Sequence, residues 1–429
     1  MTTISKISAF LFSFLILTSS FAQKNSVEDF DKGIEKLARK KNIQKAFKHI
    51  LEIEPQTRKD HILLTEIPAP NLHEAKKAAK FAELLKATGA DSVWIDKVGN
   101  TMALRKGTKR KKVVVINGHV DTVFPLGTDV TVKIKGDTLY APGIGDDTRG
   151  MMILLTVLRA LEAADIETEA DILFVGTVGE EGLGDLRGSK YIFNESGLQI
   201  DSWISVDGGS IRNIVNKALG STRYRIIFEG PGGHSWGAFG YVNPIHALSA
   251  TISNFDKEAN LFTQEGVKTS YNIGRIGGGT SINSIPYSAW AEVDMRSESP
   301  ESLAKIEEIL LKAADKALFE QNKMKRRGPD LKLKMIPVGK RPSGAIDPQT
   351  SLVQKAMAAV RFLGEKPRLR FGSTDASIPI SKNIPAITIG RGGKGGDNHS
   401  LNEWWVNIDG HVAIQYALLV LVSEAGYVK

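Results

Sequence analysis

The sequence predicts an α/β domain interrupted by an inserted, ferredoxin-like α+β unit. Three observations carry this reading. Short, wholly apolar strand segments alternate with helical segments up to residue 219, as in a sheet covered on both faces. Residues 220–338 then read in the order strand, helix, strand, strand, helix, strand, the order of a compact α+β sandwich. From 339 to 429 the α/β pattern returns.

Taken in order, Val27 to Ile67 is helical and amphipathic, and Pro68-Ala69-Pro70 breaks it. His73 to Thr88 restarts a helix that closes at Gly89. Strands follow at Val93–Ile95, Met102–Leu104, Val113–Asn117, Ile172–Thr177 and Trp203–Val206, with a helical run at Met151–Ala164. In the inserted unit, Thr222–Glu229, Thr269–Ile276, Ala289–Arg296 and Leu331–Ile336 read as strands. Pro244–Asn260 and Pro300–Leu318 read as its helices. After Pro342 come a helix at Ser351–Phe362 and a strand at Ala386–Ile389. Gly390 to Gly396 lacks the Gly-Lys-Ser/Thr ending of a phosphate-binding loop, so it is read as a flexible loop leading to Asp397 and His399.

With 429 residues, 42% of them apolar and 24% charged, the composition is that of an ordinary soluble globular protein. The start resembles an export signal spanning residues 1–22. Lys6 is followed by the apolar run Ile7–Leu17 and by Ser20-Phe21-Ala22, a small-x-small cleavage pattern. The run is too short for a comfortable membrane span, which takes roughly 20 apolar residues. The expected mature chain begins at about Gln23, is periplasmic or secreted, and has no stable membrane insertion. Cysteine is absent, which removes disulfides, thiol catalysis and thiolate metal sites; any metal must be held by His, Asp and Glu. The net charge of +8 is concentrated in Lys36–Lys48 and Lys323–Lys334. Few aromatics interleave with these tracts, so they are read as solvated faces and no nucleic-acid partner is expected.

Candidate site residues collect where strands or turns end. Val113–Ile116 runs into Asn117-Gly118-His119-Val120-Asp121, and alternation puts His119 and Asp121 on one side. That pair is a metal ligand with its supporting acid, or a structural hydrogen-bonded pair. Asp146-Asp147 follows a glycine-laced turn and opens a helix, so it is a ligand pair or an N-cap. Glu180-Glu181 lies just past a strand, where adjacent carboxylates need a cation or a proton, unless they form a plain exposed turn. Asp207 ends another strand, and His399 sits in a glycine-rich loop. Two imidazoles and three carboxylates suit two divalent ions with one carboxylate between them. His49, His61, His73, His246 and His411 lie on helical segments and read as structural or surface residues.

These motifs identify a resemblance to the di-zinc metallopeptidase family that includes bacterial glutamate carboxypeptidase, tripeptidase T, acetylornithine deacetylase, succinyl-diaminopimelate desuccinylase and aminoacylase. It rests on Gly118-His-Val-Asp-Thr-Val123, Gly145-Asp-Asp147, Gly179-Glu-Glu-Gly182 and His399-Ser-Leu-Asn-Glu403, in the family's order, and extends from Ile67-Pro-Ala-Pro70 and Gly99-Asn100 to the final segment. The resemblance implies a zinc-exopeptidase-like catalytic domain (residues 23–219 and 339–429) and a lid at 220–338 that usually forms the dimer contact, here a possible homodimer. It also implies two Zn2+ ions, with Co2+ or Mn2+ as substitutes. His119 and Asp207 would bind one ion, Glu181 and His399 the other, and Asp146 both, across an Asp146–Asp147 peptide that is often cis. Asp121 would accept a hydrogen bond from His119, and Glu180 would act as general base on a water activated by the two ions. In the lid, His234 of Gly230-Pro-Gly-Gly-His-Ser235 would reach into a partner's site. Asn283 of Asn283-Ser-Ile-Pro286 and Arg296 would hold a substrate carboxylate; for Arg296 the alternative is a salt bridge to Asp294 or Glu298.

The chain departs from the family pattern in two places. Thr148-Arg149 replaces a Lys and a small residue, which could alter the wall of the cleft. Asp207 stands where several members have Glu, though both acids occur. The expected activity is metallo-exopeptidase action on short peptides outside the cytoplasm. The alternatives are a deacylase of N-acyl amino acids and a non-catalytic binding protein on the same fold.

Overall fold

Parallel strands that stop along one edge of a sheet determine where this protein can build a site. The computed structural model describes residues 26–429; the export-signal segment lies outside them. Its central sheet has nine strands. Along the main path they run Ser92–Ile95, Thr101–Arg105, Asp171–Thr177, Val113–His119, Ser202–Val206, Ala386–Ile389, Asn213–Ala218 and Gly344–Ala345. Arg368–Gly372 pairs alongside Asn213–Ala218. The four strands Asp171–Thr177, Val113–His119, Ser202–Val206 and Ala386–Ile389 are mutually parallel neighbours, so their carboxyl ends share an edge. Their side chains are buried almost throughout, which explains why the sequence shows continuous apolar runs rather than alternation.

The helix Gly410–Ala425 is apolar on all sides and packs against both Thr148–Ala163 and Ser351–Phe362. Three helices at the start, Val27–Ala38, Lys41–Glu52 and Glu54–Thr65, cover that layer, with Ser26 and Asp29 forming a capping box on the first.

The lid is a separate antiparallel sheet in the order Thr269–Gly278, Ser288–Ser297, Gly220–Glu229, Lys332–Arg341. The helices Pro244–Phe262 and Pro300–Met324 close its own core around Phe228, Phe255, Met295 and Leu310. Both crossings between the domains are strands laid side by side. Asn213–Ala218 leads into Gly220–Glu229, and Lys332–Arg341 leads into Gly344–Ala345, with Ser221 opposite Arg341 and Ala218 opposite Gly344. The last lid strand continues past residue 338, and this brings Arg341 to the catalytic side.

The segment Gly390–Gly396, read from the sequence as a flexible loop, is a loop only in its first part. Lys394–Gly396 is a strand of a small sheet in the order Lys394–Gly396, Trp404–Val406, Thr138–Tyr140, Lys133–Lys135. Its glycines lie flat on two indoles: a Cβ at Gly393 would fall 2.6 Å from the Trp405 ring nitrogen, and one at Gly396 3.0 Å from that of Trp404. The sequence reading rested on glycine composition, whereas the indoles of Trp404 and Trp405 leave no room for a side chain at Gly396 and Gly393.

Gly393 and Gly364 both have positive φ, +68° and +81°, but only Gly393 is crowded. Gly364→Ala should cost about 1 kcal/mol, and Gly393→Ala about 2–4 kcal/mol because the indole must also move. Urea unfolding followed by tryptophan fluorescence should give that order.

Candidate metal centre

Each predicted metal ligand lies just beyond one of the four parallel strand ends or in the turn facing them. His119 closes its strand and is buried. Its Nδ1 donates to the main-chain oxygen of Asp121 at 2.9 Å, which leaves Nε2 as the ligand atom, 3.1 Å from Asp146 Oδ1. This corrects one expectation. The Asp121 carboxylate stands 3.8 Å from His119 and instead accepts the main-chain N–H groups of Glu180 at 3.0 Å and Glu181 at 2.8 Å. The chain bends after His119, so the carbonyl two residues on is the nearer acceptor. The Asp121 side chain is left to hold the acidic turn.

Within the acidic pair the two readings divide between the residues. Asp147 is the N-cap: its carboxylate accepts from Gly150 N at 3.2 Å and from His119 N at 3.0 Å. Asp146 is the residue between the donor groups, and the Asp146–Asp147 peptide is cis. Its Oδ1 faces His119, while its Oδ2 lies 3.4 Å from His399 Nε2 and 3.2 Å from Asn398 Nδ2. Glu181 Oε1 is 2.8 Å from His399 Nε2. Three donor groups result: His119, Asp146 and Asp207; Asp146, Glu181 and His399; and His119, Glu180 and Glu181. Within each, ligand atoms lie within 4.8 Å of one another. With imidazole nitrogens, carboxylate oxygens and no sulfur, and with Asp146 shared, these residues fit a pair of borderline divalent ions.

Electrostatics supports the fit. Burial drives the carboxyls of Glu180, Glu181 and Asp207 upward in pKa and that of Asp147 to about 8. For Asp146, burial is outweighed by Arg391 and the two histidines, and its pKa is held well below the ordinary value. Acids crowded in this way out of water need cations.

Several residues support the centre through contacts that the sequence did not reveal. Glu403 closes the motif that begins at His399, yet only the fold shows what its side chain holds. It accepts the N–H groups of Gly143 at 2.8 Å, Gly145 at 2.9 Å and Asp146 at 2.8 Å, and so shapes the turn that presents Asp146. Buried His61, its pKa lowered to about 3 by burial, sits 2.6 Å from the Ile144 oxygen in the same turn. Arg391 Nη1 lies 2.9 Å from Asp146 and 3.0 Å from Asp147. Arg341, arriving from the lid, lies 3.1 Å from Glu180 Oε1. Lys77, buried on the helix Ala75–Lys86, donates to Thr148 Oγ1 at 2.8 Å, and burial lowers its pKa to about 8.

Thr148 and Arg149 do not line the cleft as expected. Both are buried behind the acidic pair, and Arg149 stacks on Trp405 while donating to the Gly410 oxygen at 2.8 Å. Lys77 thus sets its amino group against Thr148, the residue that follows the acidic pair.

The three lid candidates lie outside the centre in the single chain. His234 is exposed, and its Nδ1 accepts only from Trp236 and Gly237 of its own turn. Asn283 is exposed and accepts from Ser281 at 2.6 Å. Arg296 makes the ion pair with Asp294, at 2.8 Å. Asp294 in turn binds Arg223, which donates to the Gly182 oxygen beside Glu181.

The sequence profile of Peptidase family M20/M25/M40 matches residues 115–422. A succinyl-diaminopimelate desuccinylase of Corynebacterium glutamicum is 25% identical over 346 residues, which is 77% of this chain and 86% of that protein. Among solved structures, a tripeptidase from Staphylococcus aureus aligns with a TM-score of 0.71 at 22% identity, covering 86% of this chain and 99% of that one. A dinuclear metal binding peptidase of the M20 family from Bacillus subtilis aligns at 0.63 and 18% identity, over 86% and 98%. The structural likenesses are of fold: a mixed central sheet carrying a separate antiparallel one. The profile spans every candidate donor just described, and the chain therefore belongs to peptidase family M20/M25/M40 and is a metallo-hydrolase of its peptidase and amidohydrolase kind.

Proposed function

We propose that the protein is an exported metallo-exopeptidase that hydrolyses a terminal amide bond of short peptides, with Zn2+, or Co2+ or Mn2+ in its place, as the metal. The observation that carries the reading is Asp146, whose two oxygens address two separate His-containing donor groups with Glu180 buried beside them. His119 and Asp207 would hold one ion, Glu181 and His399 the other, and Asp146 both. Two such ions, when bound, acidify water from a pKa of about 15.7 towards about 7 and polarise the scissile carbonyl.

The chain's own residues do the rest. Glu180 takes a proton from the attacking water and delivers it to the departing amine nitrogen; the water oxygen ends in the new carboxylate. Burial, set against Arg341 and His119, raises the Glu180 pKa well above the ordinary value, which suits a carboxylate that must accept and hold that proton. Arg341 binds Glu180 through both its Oε1 and its main-chain oxygen, and Asp121 holds its main-chain N–H, so the carboxylate has little freedom to turn.

Arg296 and Asn283 are our candidates for the substrate's carboxylate, and His234 for the site of a second copy in a lid-to-lid homodimer. These assignments rest on the family motifs and on the paired strands at the domain crossing, about which a lid can turn. Export is supported by the pattern from Lys6 to Ala22, and no helix among the described residues is long and apolar enough to cross a membrane. A deacylase of N-acyl amino acids is the second reading, favoured by the likeness to the desuccinylase.

Digestion of a peptide library, read by mass spectrometry beside a panel of N-acetyl and N-succinyl amino acids, should show single-residue trimming of peptides as the faster reaction. Cleavage confined to the acyl amino acids would shift the assignment to the second reading. Dialysis against a chelator should abolish turnover, and added Zn2+, Co2+ or Mn2+ should restore it. Glu180→Gln should lower kcat by about 10²–10⁴-fold, the usual worth of a general base, with metal content by mass spectrometry unchanged. A binding protein would be indifferent to that substitution. Arg341→Met should lower kcat more than it raises KM, and Arg341→Lys should recover part of the loss. Exported protein should have Gln23 as its first residue on intact-mass measurement.

A further inference from the structure

The two ends of the centre are not electrically alike. Arg391 follows the strand Ala386–Ile389 within the glycine-rich segment, and its side chain is buried. Its Nη1 lies 2.9 Å from Asp146 Oδ1, 3.0 Å from Asp147 Oδ1 and 3.6 Å from Asp207 Oδ1. The Asp146 oxygen it touches is the one that faces His119. Its backbone is tied as well: Arg391 N donates to the Gly208 oxygen at 2.9 Å, and its own oxygen accepts from Arg149 Nε at 3.3 Å. Asp147 is committed to capping a helix, so the guanidinium keeps one partner whether or not the other two carboxylates bind metal.

At the opposite end, Glu181 and His399 pair with each other and with Asp146 Oδ2. Among the described residues no arginine or lysine forms an ion pair with either of them, and His399 is half exposed to water.

We propose that Arg391 is a resident counter-cation that makes the two metal positions unequal. It holds Asp146, Asp147 and Asp207 together in the metal-free protein. It also opposes, by its fixed charge, the ion bound by His119 and Asp207. The position of Glu181 and His399 carries no such opposition and is open to solvent, so it fills first and more tightly. A fixed positive charge at this range, in surroundings of low polarity, separates the two affinities by about tenfold or more. This inference rests on the two-metal reading of the centre and adds to it an order of loading and the residue that sets it.

A Co2+ titration of the metal-free full chain, followed by visible absorption and calorimetry, tests this order. The wild type should take up two ions in two steps. His399→Gln should remove the tighter step, and Asp207→Asn the weaker. Arg391→Met should tighten the weaker step by about tenfold or more and leave the tighter one in place, while Arg391→Lys should keep the two steps apart. The melting temperature of Arg391→Met should fall in the metal-free protein and recover with two ions bound. Arg391→Gln carries the same comparison if the methionine variant does not fold. Unchanged step separation in the uncharged variants, or loss of the tighter step on changing Asp207, would overturn the role of Arg391. Uptake of fewer than two ions by the wild type would instead overturn the two-metal reading.

Discussion

Mutual repulsion among buried carboxylates is the constraint around which the protein is organised. Asp146, Asp147, Glu180, Glu181 and Asp207 converge at one sheet edge, Asp147 and Glu180 buried and the other three partly so. Left alone, such a cluster either takes up protons or does not form. The chain answers with Arg391 on the aspartates, Arg341 on Glu180 and Lys77 behind Thr148, and leaves donor sets of a kind that fits divalent ions.

The supporting hydrogen bonds have a common logic. Most of the acids that are not metal donors are given backbone N–H groups to hold. Asp121 takes those of Glu180 and Glu181, Asp147 those of His119 and Gly150, and Glu403 those of Gly143, Gly145 and Asp146. Each carboxylate is thereby neutralised in part by dipoles, and in the same act fixes the loop that carries a ligand. Each orienting acid therefore serves a candidate donor on another segment or turn: Asp121 the turn of Glu181, Asp147 the strand end at His119, and Glu403 the turn of Asp146.

The lid enters this arrangement through charge rather than through its predicted substrate-binding residues. Arg341 ends the last lid strand and grips Glu180, and Arg223 reaches the turn beside Glu181 while sharing Asp294 with Arg296. Both contacts lie close to the paired strands at the domain crossing, where a rotation of the lid displaces atoms least. Glu180 is thus tied at the domain crossing, while His234 and Asn283 lie exposed on the lid away from it.

The sequence alone determined the α/β framework and the insertion, and it pointed to the candidate metal donors that the fold brings together. Each of these is a local pattern: an apolar run long enough for a buried strand, then a His or an acid at its end. Parallel pairing turns those ends into one edge, so His119, Glu180-Glu181 and Asp207 stood out jointly by position, and the family motifs divided their roles. Only the tertiary structure decided what depends on distant partners. It separated the roles of Asp146 and Asp147, moved the contact of His119 from the Asp121 side chain to its main chain, and paired the end of the glycine segment, Lys394–Gly396, into a strand. It also brought Arg341, Arg391, Lys77 and Glu403 to the centre from far along the chain. An arginine or a lysine in a sequence reads as solvated surface, because nothing local distinguishes the one that will be buried. The distinction arises when folding places a carboxylate against it, and that is a property of the packed chain.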